Sequence, residues 1–463
     1  MAHKHGSKRK KGVEGTEGRG RGRLVILGAG GLVAVGIVIA MLSPFSAPPA
    51  VSNSVPEATY SLDVAPILQE NCIECHRPGG LGPFSLMTYE DAKDNAQIVK
   101  ESTAARRMPP WRAAEGYGEF RNDRRLTRSQ IDTIGRWADG GTPEGDLRDL
   151  PPPRQFVQGW RLGTPDLVLD AGADYRVRPS GGDFFRSFVL PFNPKEDVWV
   201  SAIEVLAGTP GIVHHLGIYI DPLRKSQALD KADPGLGYSG DAVFMPNITL
   251  DFWTPGSTPR FLEPGTAWRI PANSLLVMDI HYTPDGQLHM DRTRIGLHFA
   301  KGPIDKRVRF GAVGNQTFKI PAGADHYEVT ANRKLPIDIH LVSGWPHMHY
   351  LGKEMKVWAT LPGDAVAPLV WVPDYDLHWQ TIYVLKDPLA LPRGARIQLT
   401  AYYDNSAANP ENPHPKPRDI YFGQRAKDEM CFFYFNYTVD AEHLTKGQVV
   451  DPDGLELRIG SGG

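Results

Sequence analysis

The chain changes character near residue 160, and this change constrains its fold more than any other feature. From there to the C-terminus, short runs of alternating apolar and polar residues recur between Gly, Pro, Asn and Asp. Such runs predict β-strands, among them Val198–Leu206, Ser274–Tyr282, Arg396–Tyr403 and Cys431–Val439. The 48 glycines and 40 prolines argue against a long helical bundle. Residues 161–305 and 306–463 are therefore predicted to form two all-β sandwich, or jelly-roll-like, domains.

A cysteine motif lies in the N-terminal third of the chain. Cys72, Cys75 and His76 form the CxxCH pattern, in which two thiols attach haem and the histidine becomes an axial iron ligand. A redox-active CxxC or half of a zinc site is the alternative. A redox motif would need a βαβ setting and a zinc site a second ligand pair, and the sequence shows neither. The motif therefore predicts one covalent haem c.

Short helices are predicted around this motif, at Asp63–His76, Tyr89–Ala105 and Leu126–Ala138. This arrangement resembles a class I cytochrome c, which implies a small all-α domain over residues 58–149. A Pro-rich linker at 150–160 would separate it from the β-strands.

The sixth ligand of such a haem is usually a downstream methionine. Met108 is the stronger candidate, because Pro109 and Pro110 keep the following loop extended. Met87 is the competing candidate. A Met/His pair would suit electron transfer rather than oxygen binding.

The first 43 residues have the features of a membrane-targeting segment. Residues 1–23 contain eight Lys or Arg, and Leu24–Leu42 carries no charge and is about as long as a bilayer-spanning helix. A transmembrane anchor is therefore predicted at 24–43, followed by a linker at 44–57. The positive-inside rule places the basic tail in the cytoplasm and the catalytic body in the periplasm of a bacterial inner-membrane, single-pass protein. Cleavage of a signal peptide near Ser46–Ala50 is the alternative, and would give an exported protein.

The charge of the remaining chain excludes nucleic acid as a partner. The 440 residues after the basic tail, 24–463, hold 43 basic and 51 acidic side chains, so they have no overall positive charge to attract phosphates.

Two histidine pairs stand out among the 15 histidines. His347 and His349 are two apart, so on a strand they face the same side and can bind one metal ion. His214 and His215 are adjacent, and can share an ion only if the strand ends or bulges there, or if their rings use different nitrogens. Histidines without such a neighbour, such as His378, are predicted to be surface or hydrogen-bonded residues.

Four motifs, at residues 213–219, 279–282, 345–352 and 428–431, occur in the order found in type II, ascorbate-dependent copper monooxygenases. The chain thus resembles the family of peptidylglycine α-hydroxylating and dopamine β-monooxygenases, over roughly residues 161–440. The resemblance implies a first, electron-supplying copper site formed by His214, His215 and His281.

The same resemblance implies a second copper site formed by His347, His349 and Met430, where O₂ binds and the substrate is oxidised. A thioether is a good ligand for Cu(I), which agrees with this assignment. The two ions would lie at separate sites and each store one electron.

Two residues near these motifs depart from the family pattern, and a third is kept. Peptide-amidating members have an Arg where this chain has Trp345, and an Asn where it has Phe432, whereas Tyr434 is kept. Trp345, Phe432 and Tyr434 therefore predict an apolar or aromatic substrate pocket, although all three side chains could equally belong to the core. Cys431 has no cysteine left to pair with if the other two bind haem.

The sequence thus predicts an exported, haem c-containing, dinuclear copper monooxygenase that hydroxylates a small organic substrate with O₂. The haem would relay electrons to the first copper from a periplasmic donor, either an ascorbate-like reductant or a redox protein. A non-catalytic electron-transfer or copper-binding protein on the same scaffold is the alternative. A third possibility is an interaction protein whose metal sites are vestigial. P-loop, GxSxG and HExxH motifs are absent from the sequence.

Overall fold

The structure is a computed structural model that describes residues 57–239 and 248–450. The predicted basic tail and the predicted membrane segment at 24–43 lie outside the described residues. The described residues belong to one compact unit.

Five short α-helices occur in the described chain, four of them before residue 140. They are α1 (Ala65–Asn71), α2 (Tyr89–Asp94), α3 (Ala96–Ala104), α4 (Arg128–Asp139) and α5 (Lys225–Ala232). Helix α4 begins after Thr127, whose side chain forms a capping box with Gln130, and it buries Ile134 and Trp137. A π-helical turn at Tyr60–Val64 precedes α1, and 3₁₀ turns lie at Leu147–Asp149, Leu377–Trp379 and Leu444–Lys446.

The described part of the first β region contains twelve strands. They are β1 (Leu167–Leu169), β2 (Tyr175–Val177), β3 (Phe184–Leu190), β4 (Val198–Leu206), β5 (Val213–Asp221), β6 (Tyr238–Ser239), β7 (Ile248–Trp253), β8 (Thr266–Ile270), β9 (Leu275–Tyr282), β10 (His289–Asp291), β11 (Arg294–Phe299) and β12 (Lys306–Arg307). One sheet has the order β1-β11-β4-β8-β12, a second has the order β6-β3-β9-β5-β7, and β10 pairs with β2. Side chains of both five-stranded sheets, such as Val200 and Leu216, share one hydrophobic core.

The second β region, as far as residue 450, contains ten strands. They are β13 (Arg309–Asn315), β14 (Lys319–Ile320), β15 (Tyr327–Lys334), β16 (Ile339–His347), β17 (Gly352–Thr360), β18 (Val366–Val372), β19 (Tyr383–Leu391), β20 (Arg396–Tyr403), β21 (Ile420–Tyr421) and β22 (Cys431–Val439). Its sheets have the orders β13-β22-β16-β19 and β15-β20-β17-β18, and β14 pairs with β21. Side chains of both four-stranded sheets, such as Phe433 and Val357, share a second core.

The predicted all-α cytochrome c domain at 58–149 is wrong, because the described chain is mostly β-sheet and no separate domain of this kind is evident in it. The helices bury a small cluster of their own. The segment between α3 and α4, however, packs against the second β region, and its residues Trp111, Ala113 and Phe120 belong to the hydrophobic core of that region. Phe120 also forms a β-bridge with Leu385. The helical pattern did not reveal that these apolar residues pack against a sheet far along the chain.

The predicted inner-membrane, periplasmic location is also corrected. Within residues 57–239 and 248–450, no helix is both long enough and apolar enough to cross a bilayer. The segment on which that prediction depended lies outside these ranges.

Candidate metal centre

The first histidine set lies on two neighbouring strands of the first β region. His214 and His215 are near the start of β5, and His281 is near the end of β9, which pairs antiparallel with β5. The register places His215 opposite His281, and a bulge between Val213 and His215 interrupts the alternation of side chains. Because of this bulge, both adjacent histidines contact His281.

The ring nitrogens of these three histidines converge. His215 Nδ1 lies 2.9 Å from His214 Nδ1 and 3.4 Å from His281 Nδ1. Three nitrogens about 2.0–2.1 Å from one tetrahedral ion would be about 3.3 Å apart, close to these separations. In the described part of the chain, this is the one group of three or more His, Cys, Asp or Glu residues whose ligand atoms meet in this way. The geometry therefore fits a bound cation.

Two imidazoles of this set, those of His214 and His215, are held in their neutral form. Burial, together with neighbouring histidines, lowers the pKa of His214 to about 3 and that of His215 well below its usual value. A neutral imidazole has a free lone pair, which is the form that binds a metal ion.

Asp183 connects the first set to the second region. Its Oδ2 atom lies 3.3 Å from His281 Nε2, in a contact poorly aligned for a hydrogen bond. It also accepts a hydrogen bond from the Tyr350 hydroxyl at 3.0 Å. Burial opposes ionisation of Asp183, but these two neighbours outweigh it and lower its pKa. Asp183 therefore stays ionised beside the first set.

The second histidine set lies at the end of β16. His347 is the last residue of β16 and His349 lies in the following loop, with ring centroids 5.1 Å apart. His347 Nδ1 is 2.6 Å from Gln380 Oε1, and His349 Nδ1 is 3.1 Å from the carbonyl oxygen of Asp428. Both partners are acceptors, so each Nδ1 carries the proton and each Nε2 is left with its lone pair. Burial lowers the pKa of His347 to about 4 and that of His349 to about 3.

Met430 is held beside this loop by the preceding residue. The buried carboxyl group of Glu429 accepts hydrogen bonds from the backbone N–H groups of His349 (2.9 Å), Leu351 (2.6 Å) and Met430 (3.2 Å). Burial raises the pKa of Glu429 to about 8. The backbone of Met430 is thus fixed next to that of His349.

The aromatic residues predicted as a substrate pocket lie on the same sheet face as His347. In the pairing of β16 with β22, Trp345 is opposite Tyr434 and His347 is opposite Phe432. Trp345 contacts His347 at 5.0 Å between ring centroids, and Phe432 stacks on Tyr434 at 5.3 Å. The sequence did not indicate Phe252 of β7, whose ring lies 4.2 Å from that of Trp345. The three predicted residues and Phe252 therefore form one aromatic cluster between the two β regions.

The two histidine sets adjoin each other. The ring centroids of His215 and His347 are 6.5 Å apart. His378, predicted to be a surface or hydrogen-bonded residue, is exposed, and its ring lies 5.7 Å from that of His214. His378 and Gln380 come from one short segment that contacts both sets, and no spacing rule in the sequence indicates either of them.

The CxxCH residues lie at the end of α1. Cys72 and Cys75 are free thiols, and burial raises the pKa of Cys72 to about 12 and also raises that of Cys75. Such thiols are poor nucleophiles, which is unlike a redox-active CxxC. His76 Nδ1 lies 3.1 Å from the Phe84 carbonyl oxygen, which leaves Nε2 to face a ligand.

The two candidate methionines differ in their surroundings. Met87 is 42% exposed, whereas Met108 lines a cavity between α3 and the second β region. Cys431 is fully buried, and burial raises the pKa of its thiol to about 12.

The second set lies in a segment that matches a known family. Residues 313–450 match the C-terminal domain of the copper type II ascorbate-dependent monooxygenases. The matched segment contains His347, His349 and Met430, but not the first histidine set or the CxxCH motif. The match supports a copper-dependent, monooxygenase-like function. It gives no support to the predicted cytochrome c fusion or haem.

Individual known proteins are only weakly similar to the chain. No curated protein matches it. Among solved structures, it resembles the VP2 subviral particle of infectious bursal disease virus at 9% identity, with 59% of this chain and 71% of that chain covered and a TM-score of 0.17. PNGF-II matches at 9% identity, with coverage of 60% and 66% and a TM-score of 0.25. A two-domain protein of unknown function from Bacteroides fragilis matches at 9% identity, with coverage of 61% and 100% and a TM-score of 0.15. Similarities this weak carry no argument about fold or function.

Proposed function

We propose that the protein is a copper monooxygenase that oxidises a small organic substrate with O₂. His214, His215 and His281 would hold one copper ion, and His347, His349 and Met430 a second. Bound copper would supply one-electron redox chemistry and a site for O₂. The observation that supports this best is that the three converging histidines of the first set adjoin the second set, which lies within the segment that matches the family.

Side chains of this chain would prepare both sites for metal. Gln380 and the Asp428 carbonyl hold protons on the Nδ1 atoms of His347 and His349, so that Nε2 is presented as the ligand. Asp183 places a negative charge beside His281, which offsets part of a cation's charge.

The aromatic cluster would form the wall of the substrate site. Trp345 is 4% exposed and lies beside His347, so water is largely excluded on that side. An apolar or aromatic substrate suits such a wall better than a peptide carboxylate, because Trp345 supplies no positive charge.

The test measures metal content together with oxygen uptake. Copper-loaded wild-type protein is expected to bind two copper ions and, with ascorbate present as the electron donor, to consume O₂ when a substrate is added. His347→Ala and Met430→Ala should each abolish the uptake. His326→Ala is the matched control, because His326 is exposed and stacks on Tyr402, away from both histidine sets.

Two results would contradict this function. Full turnover by His347→Ala would remove the second set from the chemistry. Binding of copper without oxygen uptake across a broad substrate screen would favour the electron-transfer or copper-holding alternative.

We also propose that Cys72 and Cys75 attach one haem c, with His76 and Met108 as axial ligands. The Phe84 carbonyl would orient His76, and the two free thiols stand on the same turn of chain. Haem that stays with the polypeptide after denaturation, and is lost in Cys72→Ser/Cys75→Ser, would support this. Substitution of Met108, but not of Met87, should change the haem spectrum.

The haem would pass electrons to the first copper and would be reduced by an ascorbate-like donor or a redox protein. The matched family is described as ascorbate-dependent, which supports a reductant of this type. Reduced protein mixed rapidly with O₂ and substrate should show the haem becoming oxidised during turnover. A haem that stays reduced while copper turns over would remove it from the pathway.

A further inference from the structure

A cavity of about 280 Å³ lies where the chain between α3 and α4 meets the second β region. Its lining includes Met108, Trp111, Arg112, Arg125 and Asp374. This volume is just below the range of about 300–1,000 Å³ for small-molecule sites, so a small ligand or part of a larger one would fit.

Three lining residues carry buried N–H groups that have no partner among the described residues. They are Trp111 Nε1, Arg112 Nε and Arg125 Nη1, and Trp111 as a whole is only 5% exposed. Buried N–H groups are nearly always hydrogen-bonded. Three such donors around one cavity therefore indicate an acceptor that the described part of the protein does not supply.

The other nitrogens of both guanidinium groups are already used. Arg112 donates to Asp374 and, at 2.9 Å, to Asp376, while Arg125 donates to Asp123. These ion pairs fix the planes of both guanidinium groups and offset their positive charge. The cavity would therefore select its ligand by hydrogen bonding rather than by net charge. A ligand that only accepts hydrogen bonds, such as a carboxylate or enolate, matches three fixed donors.

The same segment leads from the cavity to the first histidine set. The Asp376 side chain accepts a hydrogen bond from the backbone N–H of His378 at 2.9 Å, and the His378 ring lies beside that of His214. Met108, the proposed haem ligand, lines the same cavity as Trp111. The cavity thus has Met108 in its wall and is connected through Asp376 and His378 to the first set.

We propose that this cavity binds the anionic oxygens of a small organic carboxylate or enolate. Two sources have this chemistry: the propionate groups of a haem attached at Cys72 and Cys75, and a free reductant of the ascorbate type. The choice of a reductant as one source rests on the proposed function. The inference that the ligand is an organic anion rests on the cavity alone.

The test is a calorimetric titration of copper-free, full-length protein with ascorbate under anaerobic conditions. Wild-type chain produced without haem attachment should bind it saturably. Arg125→Gln should weaken binding about tenfold, because a charge-assisted hydrogen bond is lost, and Trp111→Phe should weaken it several-fold. Repeating the titration on haem-bearing protein distinguishes the two sources. Loss of ascorbate binding when haem is attached would identify the propionates as the occupant. Unchanged ascorbate binding would identify the free anion as the occupant.

Arg148→Gln is the control. Arg148 pairs with Asp146 two residues earlier, just as Arg125 pairs with Asp123, but it is exposed and lies away from the cavity. Absence of saturable binding, or wild-type affinity in both cavity variants, would overturn the proposal. Because copper is absent, this result does not depend on whether the protein is an oxygenase.

Folding of the haem-free chain is checked by circular dichroism. If that chain does not fold, the haem reduction potential is measured instead in the haem-bearing variants. Arg125→Gln and Trp111→Phe should then shift the potential or weaken ascorbate binding to the haem-bearing protein, while Arg148→Gln does neither. No change in either measurement in both cavity variants would overturn the proposal.

Discussion

At the scale of single residues, Gln380 is the side chain whose role is most specific. It is buried, its Oε1 is 2.6 Å from His347 Nδ1, and its Nε2 donates to the Leu377 carbonyl at 3.2 Å. The second bond fixes which end of the amide faces the histidine, so His347 has to donate from Nδ1. Gln380 therefore determines which nitrogen of His347 is available to a metal ion.

Gln380→Leu is expected to weaken copper binding at the second set by about 10–100-fold, because partners of ligand histidines typically contribute this much. Gln380→Glu keeps an acceptor oxygen and should restore most of the affinity. Copper titration against a competing chelator, followed by paramagnetic resonance, measures both sets.

Gln398→Leu is the control, since Gln398 accepts a hydrogen bond from Thr360 on another sheet. Equal loss of affinity at both histidine sets in Gln380→Leu would show a general disturbance of the fold instead of a local effect.

The sequence indicated some residues of the candidate site and gave no sign of others. Spacing alone selected His214–His215 and His347–His349, because the two histidines of each pair are only one or two positions apart. His281 and Met430 came only from the family resemblance. Gln380 could not be predicted, because a lone glutamine 33 positions from His347 has no pattern that marks it.

At the scale of elements, a bulge in β16 orients the second set. The pairing of β16 with β22 shifts register between Leu341 and Ser343. Leu341 packs into the second core, but beyond the bulge the alternation is reversed, so that Trp345 and His347 face the first β region. A regular strand would have sent these two side chains into the core. The strand itself was predictable from its alternation, whereas the extra residue was not.

Gly344→Ala is expected to destabilise this part of β16. A Cβ atom at Gly344 would lie 2.3 Å from the Phe433 ring, which is buried in the second core and has little room to move. Overpacking of this kind costs about 1–3 kcal/mol, measured as a lower free energy of unfolding in denaturant titrations.

Gly302→Ala serves as the control, because no described atom lies within 4 Å of the added methyl group. If Gly344→Ala were as stable as Gly302→Ala, the close packing of β16 against Phe433 would be incorrect.

At the scale of the whole molecule, a buried ion pair joins the two β regions. Arg307 lies on β12, which completes a sheet of the first region, and its guanidinium donates to Glu442, which follows β22. Arg309 donates to the same carboxylate at 2.8 Å. Burial alone would raise the pKa of Glu442, but the hydrogen bonds from Arg307 and the nearby charges outweigh it and lower the pKa. Burial also lowers the pKa of Arg309, yet a guanidinium in a protein stays protonated across the acidic and neutral range.

This pair predicts how stability depends on pH. A carboxyl group with a lowered pKa in the folded state stabilises the fold above its unfolded pKa of about 4.3, and this contribution is lost as the pH falls through the folded pKa. The melting temperature should therefore fall on acidification below about pH 4.3. Glu442→Gln should lower stability at pH 7 by about 3 kcal/mol and reduce the further loss in acid.

Glu328→Gln is the comparison, since Glu328 is exposed and accepts a hydrogen bond from Tyr402. If the melting temperatures of wild type and Glu442→Gln fell by the same amount between about pH 7 and pH 3, the assigned role would be contradicted.

The large-scale organisation was the least predictable from sequence. The β content followed from alternation, but the docking of Trp111 and Phe120 on the second core depends on contacts with residues such as Tyr383, far along the chain. A pattern read over a few turns of helix contains no information about such contacts. For this reason the helices were predicted to form a domain of their own.

The closeness of the His215 and His347 rings also has an electrostatic consequence. Two cations held by neighbouring, water-poor imidazole clusters repel each other far more strongly than they would in bulk solvent. If both sets held copper ions as proposed, the first ion to enter would oppose the second, and the enclosure would favour whichever oxidation states leave the least total positive charge. Loading would be anticooperative, and the protein would hold the fully reduced pair more readily than the fully oxidised one.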